Sequence, residues 1–290
     1  MAAAGAPAGP PAASRRAAEL IRDCSFEISP RDEWLGERLR GLFEAGTEIF
    51  VSHPASATHH DIVAACTRLR RAGFVPVPHV AARRLATLTQ AGDFLRRAAG
   101  EAEVTAILLV AGDPPAPVGP FADSLGLLAS GVVERCGIAR VFVAGYPEGH
   151  PQIGAAALAA ALDAKLALAR RLGLAVGAVT QFGFDAAPIG RWLAGLRARG
   201  IDCPVRVGVA GPASIATLAG YAVRCGVGAS LRALARGHTA FARILTETGP
   251  DALIAALVEA EATAGRIDGL HVFTFGGVRR AAAWRRAAMA

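Results

Sequence analysis

The chain has 290 residues, of which 53% are hydrophobic and 19% are charged, a composition typical of a globular protein and not of a disordered one. The net charge of +7 comes almost entirely from scattered arginines, because Lys165 is the only lysine and no run of five basic residues occurs. This pattern argues against a nucleic-acid-binding protein.

Cysteine usage and the chain start complete the bulk description. The five cysteines lack CxxC spacing, and an odd number favours a reducing, cytoplasmic location. No apolar run reaches the roughly 18 residues that span a bilayer, so we expect no membrane segment. Residues 1–18 are rich in Ala, Pro and Gly without a continuous apolar core. We expect a disordered extension there, with a transit peptide as the alternative, and one domain over residues 19–290.

Short β-like runs alternate with longer helical runs along the chain. The expected strands cover residues 24–28, 48–52, 75–78, 105–110, 139–143, 175–180, 204–208 and 270–274. The expected helices cover residues 33–45, 59–72, 121–134, 154–172 and 189–199, with three more between 213 and 264. Eight strands with intervening helices predict an α/β fold, a single (β/α)8 TIM barrel with extra helix before the last strand.

An open doubly wound sheet is the alternative architecture. It predicts a glycine-rich fingerprint directly after an early strand. The first strand here runs instead into Phe-Glu-Ile-Ser-Pro at residues 26–30. Strands such as Ala-Ile-Leu-Leu-Val at 106–110 are apolar throughout, which suits a parallel sheet covered on both faces. The barrel is therefore favoured.

Polar residues follow the end of nearly every expected strand. In a barrel of this type the chemistry lies at the carboxyl ends of the strands. The candidates in chain order are Glu27, His53, His79, Asp113, Tyr146, His150 and Gln181. A barrel with a purely structural role has no need for this arrangement.

Each candidate also has a structural interpretation. A carboxylate such as Glu27 in an apolar strand costs several kcal/mol unless it is paired or protonated, and such a setting raises a carboxyl pKa as a general acid requires. Asp113 before two prolines could form a turn, His79 could be a rim histidine, and Gln181 could cap a strand. His53, His59 and His60 lack a further ligand at metal spacing, so we expect no metal.

Four motifs, taken together in this order, resemble one enzyme family. They are Phe-Glu-Ile-Ser-Pro at 26–30, Gly-Asp-Pro-Pro at 112–115, Ala-Gly-Tyr-Pro-Glu-Gly-His-Pro at 144–151 and Thr-Gln-Phe-Gly-Phe-Asp at 180–185. With these motifs the chain resembles the methylenetetrahydrofolate reductase family over nearly its whole length. The resemblance implies a (β/α)8 barrel that binds FAD without a covalent link. NAD(P)H reduces the flavin, which passes the hydride to methylenetetrahydrofolate and yields 5-methyltetrahydrofolate.

The resemblance also implies roles for particular residues. Glu27 would be the general acid that assists opening of the folate ring, and Asp113 would lie near pterin and flavin, where its charge favours the iminium cation. Gln181 would bind the folate, with Phe184 and Phe275 as further substrate contacts. The implied FAD contacts are His79, Asp123, Ser124, Tyr146, His150, Asp163 and, in place of a lysine, Arg170.

Departures from the family pattern define a second hypothesis. Ala111 replaces a flavin-contacting arginine, Pro54 replaces a threonine, and Gly183 replaces an aromatic residue, which we expect to open space near the substrate. The first hypothesis is an active reductase. The second is a non-catalytic or flavin-free folate-binding homologue that acts with a one-carbon methyltransferase system. The preference for NADH or NADPH and the state of a homo-oligomer are not decided by the residues.

Overall fold

Eight parallel strands form one closed barrel in the computed structural model, which describes residues 12–225, residue 227 and residues 249–289. Neighbouring strands pair in chain order, and β8 pairs with β1. The strands are β1 Ser25–Ile28, β2 Glu48–Val51, β3 Val75–Ala81, β4 Ala106–Val110, β5 Arg140–Gly145, β6 Ala175–Thr180, β7 Val205–Ala210 and β8 Gly269–Phe273. The predicted single (β/α)8 barrel is confirmed.

Helices cover the outside of the barrel. They are α1 Ala12–Arg22, α2 His59–Arg71, α3 Leu88–Ala102, α4 Ser124–Ala129, α5 Val132–Arg135, α6 Ala155–Arg171, α7 Ala186–Ala198, α8 Ile215–Cys225, α9 Asp251–Ala264 and α10 Val278–Met289. Both α8 and α9 lie between β7 and β8, which confirms the extra helix before the last strand. In the part of the chain that is described, no helix combines the length and the apolar character needed to cross a membrane.

Alternation along each strand separates the barrel interior from the helix-facing surface. The rings of Phe50 in β2 and Phe142 in β5 lie 5.4 Å apart although these strands are not neighbours, so both point inward. They belong to an interior cluster with Val77, Leu108 and Val179. Because alternate side chains of a strand share one face, the side chains two residues further along each strand also face the interior, nearer the open end of the barrel.

Charged side chains fill the amino-terminal end of the barrel. Glu48 at the start of β2 forms ion pairs with Arg206 of β7 and, at 3.5 Å, with Arg140 of β5. The Arg206 guanidinium also lies 5.0 Å from the centre of the Phe142 ring, a cation–π contact. This layer closes one end of the barrel, so a ligand reaches the interior from the carboxyl end of the strands.

Two predicted helices differ from the structure. The segment 33–45 contains only a 3-10 helix at Glu37–Gly41, because Gly36 with φ of 93° precedes it and the Asp32 side chain forms a turn with the Trp34 amide. The segment 121–134 is split into α4 and α5 by Gly131, whose φ of 72° is left-handed. Sequence analysis also missed α3 and α10. Of the three helices expected between 213 and 264, two are α8 and α9, and a third would lie outside the described residues.

The amino-terminal helix packs against the end of the chain. The expected disordered extension is wrong for residues 12–18, which lie in α1, while residues 1–11 are outside the described residues. Arg16 in α1 binds Glu261 at 3.0 Å and the Ile267 carbonyl at 2.6 Å. Arg285 in α10 is 5% exposed and donates to two carbonyls at the end of α1. These contacts explain why an alanine-rich segment forms an ordered helix here.

Candidate active site

Glu27 lies at the carboxyl end of β1 and faces two histidines from other strands. Its Oε2 atom is 3.3 Å from Nε2 of His79 in β3 and 3.7 Å from Nε2 of His271 in β8. All three of these atoms are buried and none has a hydrogen-bond partner. The Glu27 side chain as a whole is 20% exposed, although its Oε2 atom is buried.

Burial determines the charge of this group of side chains. It raises the pKa of Glu27, with the nearby His79 acting in the opposite direction. Burial lowers the pKa of His79 to about 4, although the Glu27 charge acts to raise it. Burial, followed by the Arg206 charge, lowers the pKa of His271 to about 3. Both imidazoles are therefore neutral at neutral pH, and Glu27 is biased toward its protonated form, as a general acid requires.

Ser25 and His271 are site residues that sequence analysis missed. The Ser25 hydroxyl lies 2.9 Å from His271 Nδ1 and 3.3 Å from the Leu270 carbonyl. A histidine inside the apolar run Gly-Leu-His-Val-Phe is the signal that could have identified the site. His271 also lies two residues before Phe273, so both side chains share the inward phase of β8.

Asp113, Tyr146 and His150 lie on the β4 and β5 side of the mouth. Burial raises the pKa of the Tyr146 hydroxyl, and the charges of Cys225 and Asp113 add to this effect. The His150 ring packs edge-on against Tyr146 with centroids 5.4 Å apart. His150 Nδ1 accepts a hydrogen bond from the Gln152 amide at 3.2 Å, so in the neutral ring the proton is on Nε2.

Arg83 organises the loop that follows β4. It follows β3, and its guanidinium donates to the carbonyls of Ala122 at 2.7 Å and Pro114 at 3.2 Å. The Arg83 carbonyl accepts from the Val118 amide at 2.8 Å. Arg83 also lowers the pKa of His150, after burial, and so lies near it. The Arg83 amide donates to the Ala111 carbonyl at 2.9 Å, so this cation is anchored beside the end of β4.

Gln181 and an aromatic cluster form the opposite side of the mouth. Gln181 follows β6, and its Oε1 accepts from the Phe182 amide at 3.1 Å. The Phe275 ring lies 5.1 Å from Phe182 and 4.5 Å from Tyr221. Phe275 has a φ of 49°, which is unfavourable for a bulky residue and indicates that packing holds this ring in place. Phe184 is buried within the same cluster.

Two glycines permit the close packing around this cluster. A Cβ atom at Gly208 in β7 would lie 2.4 Å from the Thr180 carbonyl and 2.8 Å from the Phe273 ring. A Cβ atom at Gly183 would lie 3.2 Å from Glu148 Oε1 and 3.3 Å from Ile189 Cδ1. Gly183 also lines a small cavity with Tyr146 and Gln181, so the expectation that it opens space near the substrate stays a prediction.

Asp123 and Ser124 begin helix α4. Asp123 caps the helix, since its Oδ1 accepts from the Gly126 amide at 2.8 Å, and Ser124 is buried. Burial lowers the pKa of Lys165 in α6, with the Asp123 charge acting to raise it, so these two side chains are close. Sequence analysis did not assign Lys165 to the site, although it is the only lysine in the chain.

Asp163 and Arg170 do not lie with the other candidates. Arg170 is in the last turn of α6 and donates to the Asp202 carbonyl at 3.1 Å, just before β7 begins at the amino-terminal end of the barrel. Asp163 pairs at 3.4 Å with Arg199, at the end of α7. Both side chains therefore point away from the mouth, and the geometry does not support their expected contact with a flavin.

Comparison with known proteins supports the fold. No family model matches the chain. A solved structure described as an uncharacterized protein from Clostridium thermocellum that binds two copies of 5-methyl-5,6,7,8-tetrahydrofolic acid matches with a TM-score of 0.54. The two chains are 10% identical, and the match covers 94% of this chain and 99% of the other. At this identity the similarity establishes a shared barrel fold.

Proposed function

We propose that the barrel mouth binds a reduced folate and that the chain is a methylenetetrahydrofolate reductase with Glu27 as its general acid. The observation that carries this proposal is the buried Oε2 of Glu27, which faces two neutral histidines and has no hydrogen-bond donor. A structural carboxylate in a barrel strand would be expected to have a cationic partner. A carboxyl group held neutral at an open mouth is suited to give a proton to a bound substrate.

The reduced folate is supported by chemistry on both sides of the mouth. The similar barrel from Clostridium thermocellum is described as binding 5-methyltetrahydrofolate. In this chain the Phe182 amide donates to the Oε1 atom of Gln181, so the Nε2 amide group is the part of this side chain that would donate to a pterin. The Phe275 ring offers an apolar face, and the Asp113 carboxylate lies on the opposite side, where it stabilises a cationic intermediate.

The implied flavin contacts lie together on the β3–β5 side of the mouth, where we propose that FAD would bind. His79, Tyr146 and His150 come from β3 and β5 and their loops, and Asp123 and Ser124 begin the helix after the β4 loop. FAD bound there would supply hydride chemistry, accepting a hydride from NAD(P)H and giving it to the folate. The chain itself would hold the two ring systems together and keep the Glu27 proton in place.

A folate-binding protein without reductase activity is the second candidate. Ala111 and Pro54 remove two implied flavin contacts, and Asp163 and Arg170 point away from the mouth. The matching barrel is described by what it binds and not by a reaction. Such a homologue would present folate to a one-carbon methyltransferase system.

An absorbance spectrum of the purified protein, with and without added FAD, tests the proposal first. Stopped-flow mixing with NADH should bleach a flavin band, and methylenetetrahydrofolate should restore it. Glu27→Gln should keep the first half-reaction and lose the second, while Glu259→Gln, at an exposed position on α9, should keep both. Folate binding without a flavin spectrum and without folate-dependent NADH oxidation would favour the second candidate.

A further inference from the structure

The loop after β4 has few backbone donors with which to hold its own shape. Its prolines, which have no amide hydrogen, are Pro114, Pro115, Pro117 and Pro120. In the described part of the chain, every hydrogen bond made by residues 111–122 involves one residue outside the loop, Arg83. The conformation of this loop therefore depends on Arg83.

Arg83 binds the loop at both ends and near its tip. Its amide donates to the Ala111 carbonyl at 2.9 Å, and its Nη1 donates to the Pro114 carbonyl at 3.2 Å. Its Nε donates to the Ala122 carbonyl at 2.7 Å, and its own carbonyl accepts from the Val118 amide at 2.8 Å. A guanidinium can hold two carbonyls at once because its donors lie in a fixed planar fork.

Asp113 lies between two of these contacts. Ala111 precedes it by two residues and Pro114 follows it directly, so its backbone is held from both sides. Between them, Gly112 has a φ of 94°, and a Cβ atom there would lie 3.0 Å from a side chain of β3. The Arg83 guanidinium donates to carbonyls and not to the Asp113 carboxylate. This exposed carboxylate is therefore fixed in place and still open to a ligand.

We propose that Arg83 is a positioning residue for Asp113, and that by binding both ends of the loop it fixes where this carboxylate lies in the mouth. The purpose of this contact rests on the proposed function, in which Asp113 stabilises a cationic form of the folate. A carboxylate on a loosely held loop would have to be ordered each time folate binds, at a cost in conformational entropy. The hydrogen bonds of Arg83 remove that cost before the ligand arrives.

A double-mutant cycle on the binding of 5-methyltetrahydrofolate tests the coupling between the two residues. Arg83→Lys keeps the positive charge but removes the fork, and Asp113→Asn removes the negative charge. Each should weaken binding, measured by calorimetry, by about tenfold. The double variant should bind about as well as either single variant, because both changes remove the same interaction. Arg84→Lys is the matched control, since Arg84 donates to the Ala55 carbonyl of another loop at 3.2 Å, and it should bind folate as the wild type does.

Two outcomes of the cycle would overturn the proposal. If the two losses multiply to about a hundredfold in the double variant, Arg83 acts on the ligand independently of Asp113. If Arg83→Lys binds folate as tightly as the wild type, the fork does not position the carboxylate. Thermal unfolding shows whether the lysine variant is folded, and Arg83→Gln, which keeps one donor group, takes its place in the cycle if it is not.

Hydrogen exchange of the ligand-free protein tests the hold on the loop without any substrate. Peptides that cover residues 111–122 should exchange about tenfold faster in Arg83→Lys than in the wild type, and Arg84→Lys should leave their exchange unchanged. Equal exchange in the wild type and Arg83→Lys would overturn the role of Arg83. A wild type that binds no folate would refute the proposed function, whereas folate binding with independent losses in the cycle would refute only the role of Arg83.

Discussion

Glu27→Gln should make the protein more stable at neutral pH. Burial raises the pKa of Glu27 in the folded protein above its ordinary value of 4.5. The folded state then holds a proton that the unfolded state has released, so the free energy of unfolding of the wild type falls as pH rises between those two values. Glutamine has nearly the same shape and never ionises, so it escapes this loss.

The magnitude of the effect follows from linkage. Inside the window that opens near pH 4.5 and closes at the folded pKa, the wild type loses about 1.4 kcal/mol relative to Glu27→Gln for each pH unit. Below the window the two proteins should differ little, because both side chains are neutral. Above it the difference should be constant, and its size reports how far burial shifts the acid.

Urea unfolding at a series of pH values from 4 to 9 measures this difference. Glu44→Gln is a control of opposite sign, because the hydrogen bond from Arg285 lowers the pKa of Glu44 and its contribution to stability is lost as pH falls. If the difference in free energy of unfolding between the wild type and Glu27→Gln does not change with pH, then burial does not shift the pKa of Glu27. A wild type that gains relative stability as pH rises would mean that the histidines are charged, and the general-acid argument would be refuted.

Five further variants test the packing and the site boundaries. Gly208→Ala should lower the free energy of unfolding in urea by about 1–3 kcal/mol because of overpacking. Gly220→Ala, in a helix with open space around this position, is its control and should raise that free energy by about 0.5–1 kcal/mol. Equal effects of the two substitutions would contradict the close packing of β6 and β7. Gly183→Phe should lower the thermal midpoint without tightening folate binding, because Glu148 and Ile189 lie against Gly183; tighter binding measured by calorimetry would support open space near the substrate. Arg285→Ala should cost about 1–3 kcal/mol by leaving buried carbonyls without a donor, which a chemical denaturation curve checks. Arg170→Ala should leave the flavin content of purified protein unchanged, and loss of flavin would place this arginine in the site.

The barrel was predictable because its strands are short, apolar and separated by helical runs. Strand β6 was placed correctly at both ends, and the others were placed to within a few residues. Helices were harder, because their boundaries depend on single glycines such as Gly36 and Gly131, whose left-handed φ values no periodicity shows. Helix α1 formed because Arg16 finds Glu261 across 245 residues, a contact that local sequence cannot reveal.

Candidate site residues could be predicted from the sequence where they lie at the end of a strand. Glu27 and His79 were identified because each ends an apolar run at the same edge of the barrel. Ser25 and His271 were missed because their meaning depends on pairing between the first and last strands. Asp163 and Arg170 lie apart from the other candidates, because sequence spacing along α6 does not say which turn of the helix reaches the mouth.

The two candidate functions depend on separate parts of the mouth. The acid group is built on β1, β3 and β8, whereas the implied flavin contacts come from β3, β5 and the helices after β4 and β5. Loss of flavin contacts therefore need not disturb Glu27. A barrel that only binds folate would gain stability at neutral pH by replacing a buried carboxyl group with an amide. A Glu27 carboxyl group that lies between two neutral imidazoles at a cost to stability is easier to explain if its proton is used in a reaction.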